Sequence, residues 1–143
     1  MLGARVPSHH LVYRLAAREK TQKGFVTKES GAFIAAIVSM RLTATDKQSR
    51  PPRLSVWDRA IAPKAWLTDT LKRPRDTESF SARVEAVEQI DKLEVSYDLD
   101  VDPRVAGHPE TSGHAGIVGL EAGSDAEYRE RREQLIDCFE YDT

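Results

Sequence analysis

Leu93-Glu94-Val95-Ser96-Tyr97-Asp98-Leu99-Asp100-Val101-Asp102 alternates apolar and polar residues without a break. Successive side chains of a strand point to opposite faces, so this stretch predicts a strand with one dry face and one polar, mostly acidic face. A strand of that kind needs a sheet around it and helices to cover its apolar side. Working outward, Asp102-Pro103 stops the alternation, and a Gly/Pro/Ser loop leads to His114–Leu120, read as a buried strand. Ser124 followed three residues later by Glu127 is a capping-box signature. The helix it opens turns Tyr128, Leu135, Ile136 and Phe139 inward and Arg129, Glu130, Arg131 and Arg132 outward.

Upstream, a helix is read from about Ser79, with Phe80, Val84, Val87 and Asp91 along one line and Ile90 completing its apolar stripe. Pro63 suits the first position of a helix carrying Trp66, Leu67 and Leu71, which Pro74 ends. Leu54-Ser55-Val56-Trp57 alternates like a strand and stops at Asp58, and Thr43–Pro52 reads as a surface loop. Ala32–Met40 suits a buried element of either type, and Leu11–Leu15 a short strand or the start of a helix. Met1–His10 reads as a flexible lead-in. The expected architecture is α+β: one globular domain over 11–143, a small, mainly antiparallel sheet packed by two or more helices, the C-terminal helix covering the sheet.

With 143 residues, 40% apolar and 31% charged, the chain has room for one ordinary domain with a modest core. Its longest apolar run, Ala32–Val38, is too short to cross a bilayer, and no secretion signal is expected at the start. One cysteine, Cys138, excludes an intramolecular disulfide framework and a multi-thiolate zinc site, and a cytoplasmic setting is expected. Net charge is −2, yet the signs are segregated. Residues 1–83 carry 16 Lys and Arg against 7 Asp and Glu, and residues 84–143 carry 5 against 16. Either the halves attract each other across the fold, or the basic half meets a polyanion or acidic partner.

Val12-Tyr13-Arg14, Gly24, Ala32-Phe33, Leu54-Ser55-Val56-Trp57-Asp58, Asp102-Pro103 and His114-Ala115-Gly116-Ile117-Val118-Gly119 follow one another in that order. The series resembles a group of small bacterial single-domain proteins with a Tyr-Arg opening, a central Leu-Ser-Val element and a late His-Ala strand. That resemblance implies one intact domain of bacterial or phage origin, and no mechanism.

Three functional readings follow. The first is a non-catalytic intracellular binding module that engages nucleic acid or a protein partner through Arg50, Arg53, Arg59, Lys64, Lys72, Arg73 and Arg75. The second is a nucleotide-directed enzyme centred on Arg14 and His114. An early strand arginine and a later serine strand at Ser55 resemble the arrangement of ADP-ribosyltransferase-like folds, in which an arginine holds the dinucleotide phosphate. The Glu-x-Glu or Gln-x-Glu signature of those folds is missing. The third is a metal-dependent nuclease in which Asp98, Asp100 and Asp102, two apart on a strand, converge on a hard cation. An EF-hand is rejected, because Pro103 and Pro109 occupy the positions of its turn glycine and closing glutamate. Ser55 and Ser112 lack a nucleophile elbow, so serine hydrolysis draws no support from sequence. The glycines Gly113, Gly116 and Gly119 match no dinucleotide fingerprint and suit close backbone approach instead. No cofactor is named by any motif.

Overall fold

The computed structural model describes residues 1–17, 20–21, 24–25, 48, 50–72, 77–100 and 102–141. Its centre is a seven-stranded, wholly antiparallel sheet. In chain order the elements are β1 (Leu2–Arg5), β2 (Leu11–Ala17), the short pair β3 (Lys20–Thr21) and β4 (Gly24–Phe25), β5 (Arg53–Asp58) and α1 (Lys64–Thr70). They continue with β6 (Thr77–Arg83), α2 (Val84–Glu88), β7 (Glu94–Asp98), β8 (His114–Val118), α3 (Asp125–Cys138) and β9 (Glu140–Tyr141). The spatial order is β1-β7-β8-β5-β2-β6-β9, with β3 and β4 paired apart from it. The α+β class and a C-terminal helix against the sheet are therefore as expected. No helix among the described residues is long and apolar enough to cross a membrane.

Alternation along each strand builds two unequal faces. Val12, Leu54, Val56, Phe80, Ala82, Val95, Ala115 and Ile117 point to one side and join Val84, Val87, Leu135 and Ile136 from the helices and Phe139 just past α3. This is the main core. The opposite side holds a smaller cluster, Tyr13, Leu67 and Val105, with Leu15, Trp57, Trp66 and Leu71 against it. The rest of that side is polar.

Several expectations are corrected. Residues 1–10 are no loose lead-in: β1 pairs with β7, and Val6 is buried in the core. Thr77–Arg83 is a strand, and the helix begins only at Val84. Phe80 and Ala82 keep the period of a strand because β2 pairs them over seven residues from Leu11↔Arg83 to Ala17↔Thr77. The ladder to β2, extended by β9 at Phe80 and Ser81, supplies partners for the extended backbone that an isolated amphipathic turn would not have. Arg131 is not turned outward but is 4% exposed, its guanidinium donating to the carbonyls of Asp91 at 3.0 Å and Ala122. Ser124 does cap α3, with the full reciprocal box to Glu127. Ala32–Met40 lies outside the described residues, as does most of the Thr43–Pro52 loop.

A sharp turn follows β8, where Gly119 has φ +94° and a Cβ would stand 1.9 Å from the carbonyl oxygen of Lys92. Only glycine fits there. At the far end of β5, Asp58 is fully buried and accepts from Tyr97 at 2.7 Å and from the Ala60 amide at 3.0 Å, with His10 Nδ1 at 2.8 Å. Burial, then the bond to Asp58, pushes the Tyr97 phenol up from its ordinary range. This carboxylate is satisfied from several sides, as a structural carboxylate must be.

Candidate active site

β5 and β8 pair with Ser55 opposite Gly116 and Trp57 opposite His114. β8 and β7 pair with Ser96 opposite Gly116. Paired residues share a face, so Arg53, Ser55, Trp57, His114, Ser96 and Asp98 all project to the polar side of the sheet. Gly116 leaves a floor without a side chain in the middle of this group. The Arg53 chain lies across it, and a Cβ on Gly116 would meet the Arg53 Cδ at 3.0 Å.

Arg53 is 5% exposed and anchors the acidic side of the site. Its Nε stands 2.8 Å from Asp98 Oδ2, and its Nη2 donates to Asp100 Oδ2 at 2.6 Å. The same Asp100 oxygen accepts from the Met1 amino group at 2.7 Å. That bond, reinforced by the nearby Arg53 charge, draws the Asp100 carboxyl below its usual range. Asp98 Oδ1 accepts from the Asp100 amide at 3.0 Å, which turns the chain as β7 ends.

His114 sits between this ion-pair network and Ser55. Its Nε2 is 2.7 Å from Ser55 Oγ, its Nδ1 is 3.1 Å from the Asp100 carbonyl oxygen, and Asp98 Oδ2 lies 3.8 Å from Nδ1. A carbonyl only accepts, so we assign the ring proton to Nδ1 and leave the Nε2 lone pair facing the Ser55 hydroxyl. This is the relation between a general base and the nucleophile it activates. Trp57 packs its ring 4.9 Å from the His114 ring, Trp66 stands 5.8 Å from Trp57, and His108 5.8 Å from Trp66. The aromatic rings wall one side of the site. Arg53 Nη1 and Trp66 Nε1 are buried donors with no hydrogen-bond partner among the described residues.

The sequence candidates separate in space. Arg14 pairs with Phe80 across β6 and so lies on the core face, where its Nη1 donates to the Ser55 carbonyl at 2.6 Å. His114 is on the other face. The two do not line one cleft, which corrects the expectation of a shared nucleotide site. Asp98, Asp100 and Asp102 do not share a strand face either, because β7 stops at Asp98. Arg53 holds the first two and Arg104 the third, at 2.6 Å. Among the described residues no group of three His, Cys, Asp or Glu side chains could hold a metal ion. Arg53 belongs to the buried network rather than to a surface track. Of the other basic candidates, Arg59, Lys64 and Lys72 surround α1, Arg50 precedes the opposite end of β5, and Arg73 and Arg75 lie outside the described residues. Sequence reading set Ser55 aside for lack of an elbow. Its link to His114, 59 positions away, depends on strand register, and no local motif encodes it.

No protein-family model, curated protein or solved structure matches the chain.

Proposed function

We propose that the chain is an enzyme that transfers an acyl group to water, with Ser55 as nucleophile and His114 as general base. One observation carries the reading: Ser55 Oγ lies 2.7 Å from a His114 Nε2 whose ring is oriented from behind by the Asp100 carbonyl. Attack of Ser55 Oγ on an ester carbonyl sends the hydroxyl proton to His114 Nε2. Collapse of the intermediate breaks the ester bond, and His114 returns the proton to the departing alkoxide. Water then repeats the sequence on the acyl-serine, releasing the acid and restoring Ser55. Asp98, held by Arg53, faces the imidazolium that forms in each half and acts as a positioning residue. Burial among aromatic rings strengthens that charge interaction relative to water.

The test is a fluorophosphonate probe read by intact mass. The expected result is one adduct on the wild-type chain, absent in Ser55→Ala and slowed roughly 100-fold or more in His114→Ala. A wild-type chain left unmodified after prolonged exposure, while still folded, overturns the proposal.

A second reading, binding of nucleic acid or a protein partner through the basic half, keeps the support of Arg59, Lys64 and Lys72 around α1, none of them buried. It expects retention on heparin at low salt that weakens steeply as salt rises. Absence of retention at low salt removes its nucleic-acid form.

A further inference from the structure

A groove of about 550 Å³ runs between α2 and α3, on the far side of the core from Ser55. Its floor is apolar: Ala86, Ile90 and Cys138. The thiol of Cys138 points at the Ala86 carbonyl, 3.7 Å away, and ties the two helices together at that point. Four carboxylates stand around it, Asp91, Glu127, Glu130 and Asp137, against one cation, Arg131. That cation is already committed. Arg131 is buried, donates to backbone carbonyls, and meets Glu127 at 3.5 Å. The Glu127 carboxyl is drawn down by its bonds from the Ser124 backbone and side chain, with smaller contributions from Arg131 and Lys92.

The acidic excess of the second half is thus resolved differently in two places. Near β1, β5 and β7 its carboxylates are matched: Arg5 with Glu88 and Glu94, Arg53 with Asp98 and Asp100, and the amino terminus with Asp100. Along the groove, Asp91, Glu130 and Asp137 are exposed and have no ion-pair partner among the described residues. Like charges held along one apolar channel raise each other's energy, and a cation seated among them relieves it.

We infer that this groove docks a lysine- or arginine-bearing amphipathic helix of a partner protein, apolar side chains on Ala86, Ile90 and Cys138 and cations beside Asp91, Glu130 and Asp137. A helix laid into a groove between two helices presents anchors at i, i+3, i+4 and i+7, and its flanking positions reach the rim. The groove volume accepts a few side chains of such a segment, with its backbone left outside.

The probe is a fluorescein-labelled helical peptide of leucine and lysine, with a glutamate-for-lysine peptide as control, followed by anisotropy. The lysine peptide binds, and affinity falls about tenfold or more between low salt and ~0.2 M, as exposed charges are screened. Glu130→Lys with Asp137→Lys weakens binding at least tenfold, while Glu133→Lys, on the same helix but outside the groove, leaves it within about twofold. Bound peptide also slows alkylation of Cys138 by iodoacetamide, a readout of groove occupancy that net charge does not move. No binding of the lysine peptide overturns the inference. So does equal weakening by Glu133→Lys, or an unchanged Cys138 alkylation rate at saturating peptide. Matching melting curves of the variants exclude unfolding as the cause.

Discussion

The two faces of the central sheet are stabilised by different physics. On the helix-covered face, Val12, Leu54, Val56, Phe80, Val95 and Ile117 are all removed from water and need no directional partner. Their contribution grows with the apolar area buried. On the other face, Arg53 and Asp98 are nearly as buried but carry charge, and each depends on the other. Replacing a buried ion pair with apolar groups commonly leaves stability unchanged or higher. Arg53, Asp98, His114 and Ser55 lie together at the centre of that face, tied by ion pairs and hydrogen bonds. The proposed acyl transfer rests on that assembly.

That contrast can be broken by substitution. The largest effect is expected from Phe80→Ala, which opens a cavity in the main core and costs about 3–5 kcal/mol, read by urea denaturation. A cost below about 1 kcal/mol would mean that the helical face is not the main source of stability. Next comes Asp98→Ala, which removes the buried partner of Arg53 and leaves its guanidinium only the exposed Asp100 carboxylate, at a cost of about 3 kcal/mol, whereas Arg53→Met with Asp98→Leu recovers most of it. Equal losses in the single and double variants would show that the pair is not coupled as its 2.8 Å contact implies. Ser124→Ala removes the α3 cap at the cost of about 1 kcal/mol and should leave Ser55 labelling untouched, because α3 packs on the other face.

The smallest effect is a pH dependence. Asp100, Asp102 and Glu127 are all held below the usual carboxylate range, by the amino terminus, by Arg104 and by the Ser124 backbone respectively. Their folded-state values lie under the unfolded ones, so the stability they supply is complete above about pH 4–5 and is lost as pH falls through the folded values. The melting temperature should therefore drop below about pH 4 more in the wild type than in Asp102→Asn with Glu127→Gln, in which two of these carboxylates no longer titrate. Parallel curves would remove these groups from the acid response.

Much of the frame is legible in the residues themselves. The Leu54–Trp57 run and the Ser124 box each rest on neighbours in sequence and become the elements expected, while the alternation over Leu93–Asp102 becomes a strand only from Glu94 to Asp98. Phe80 shows where such reading fails. Its spacing to Val84 and Val87 fits a helix, and only the partner strand β2 decides for extended backbone. Arg131 fails in the same way: its position on a helix wheel is outward, but the carbonyls at Asp91 and Ala122 offer a charged donor more than solvent does.

The sequence by itself determined an α+β chain with one dry strand face, a capped final helix and a segregation of charge, because periodicity, capping and composition act over a few residues. Tertiary structure alone decided that Arg14 and His114 stand on opposite faces, that Arg53 neutralises Asp98 and Asp100, and that Ser55 meets His114. Those relations are fixed by register between strands distant in the chain, where a shift of one residue would exchange the two faces.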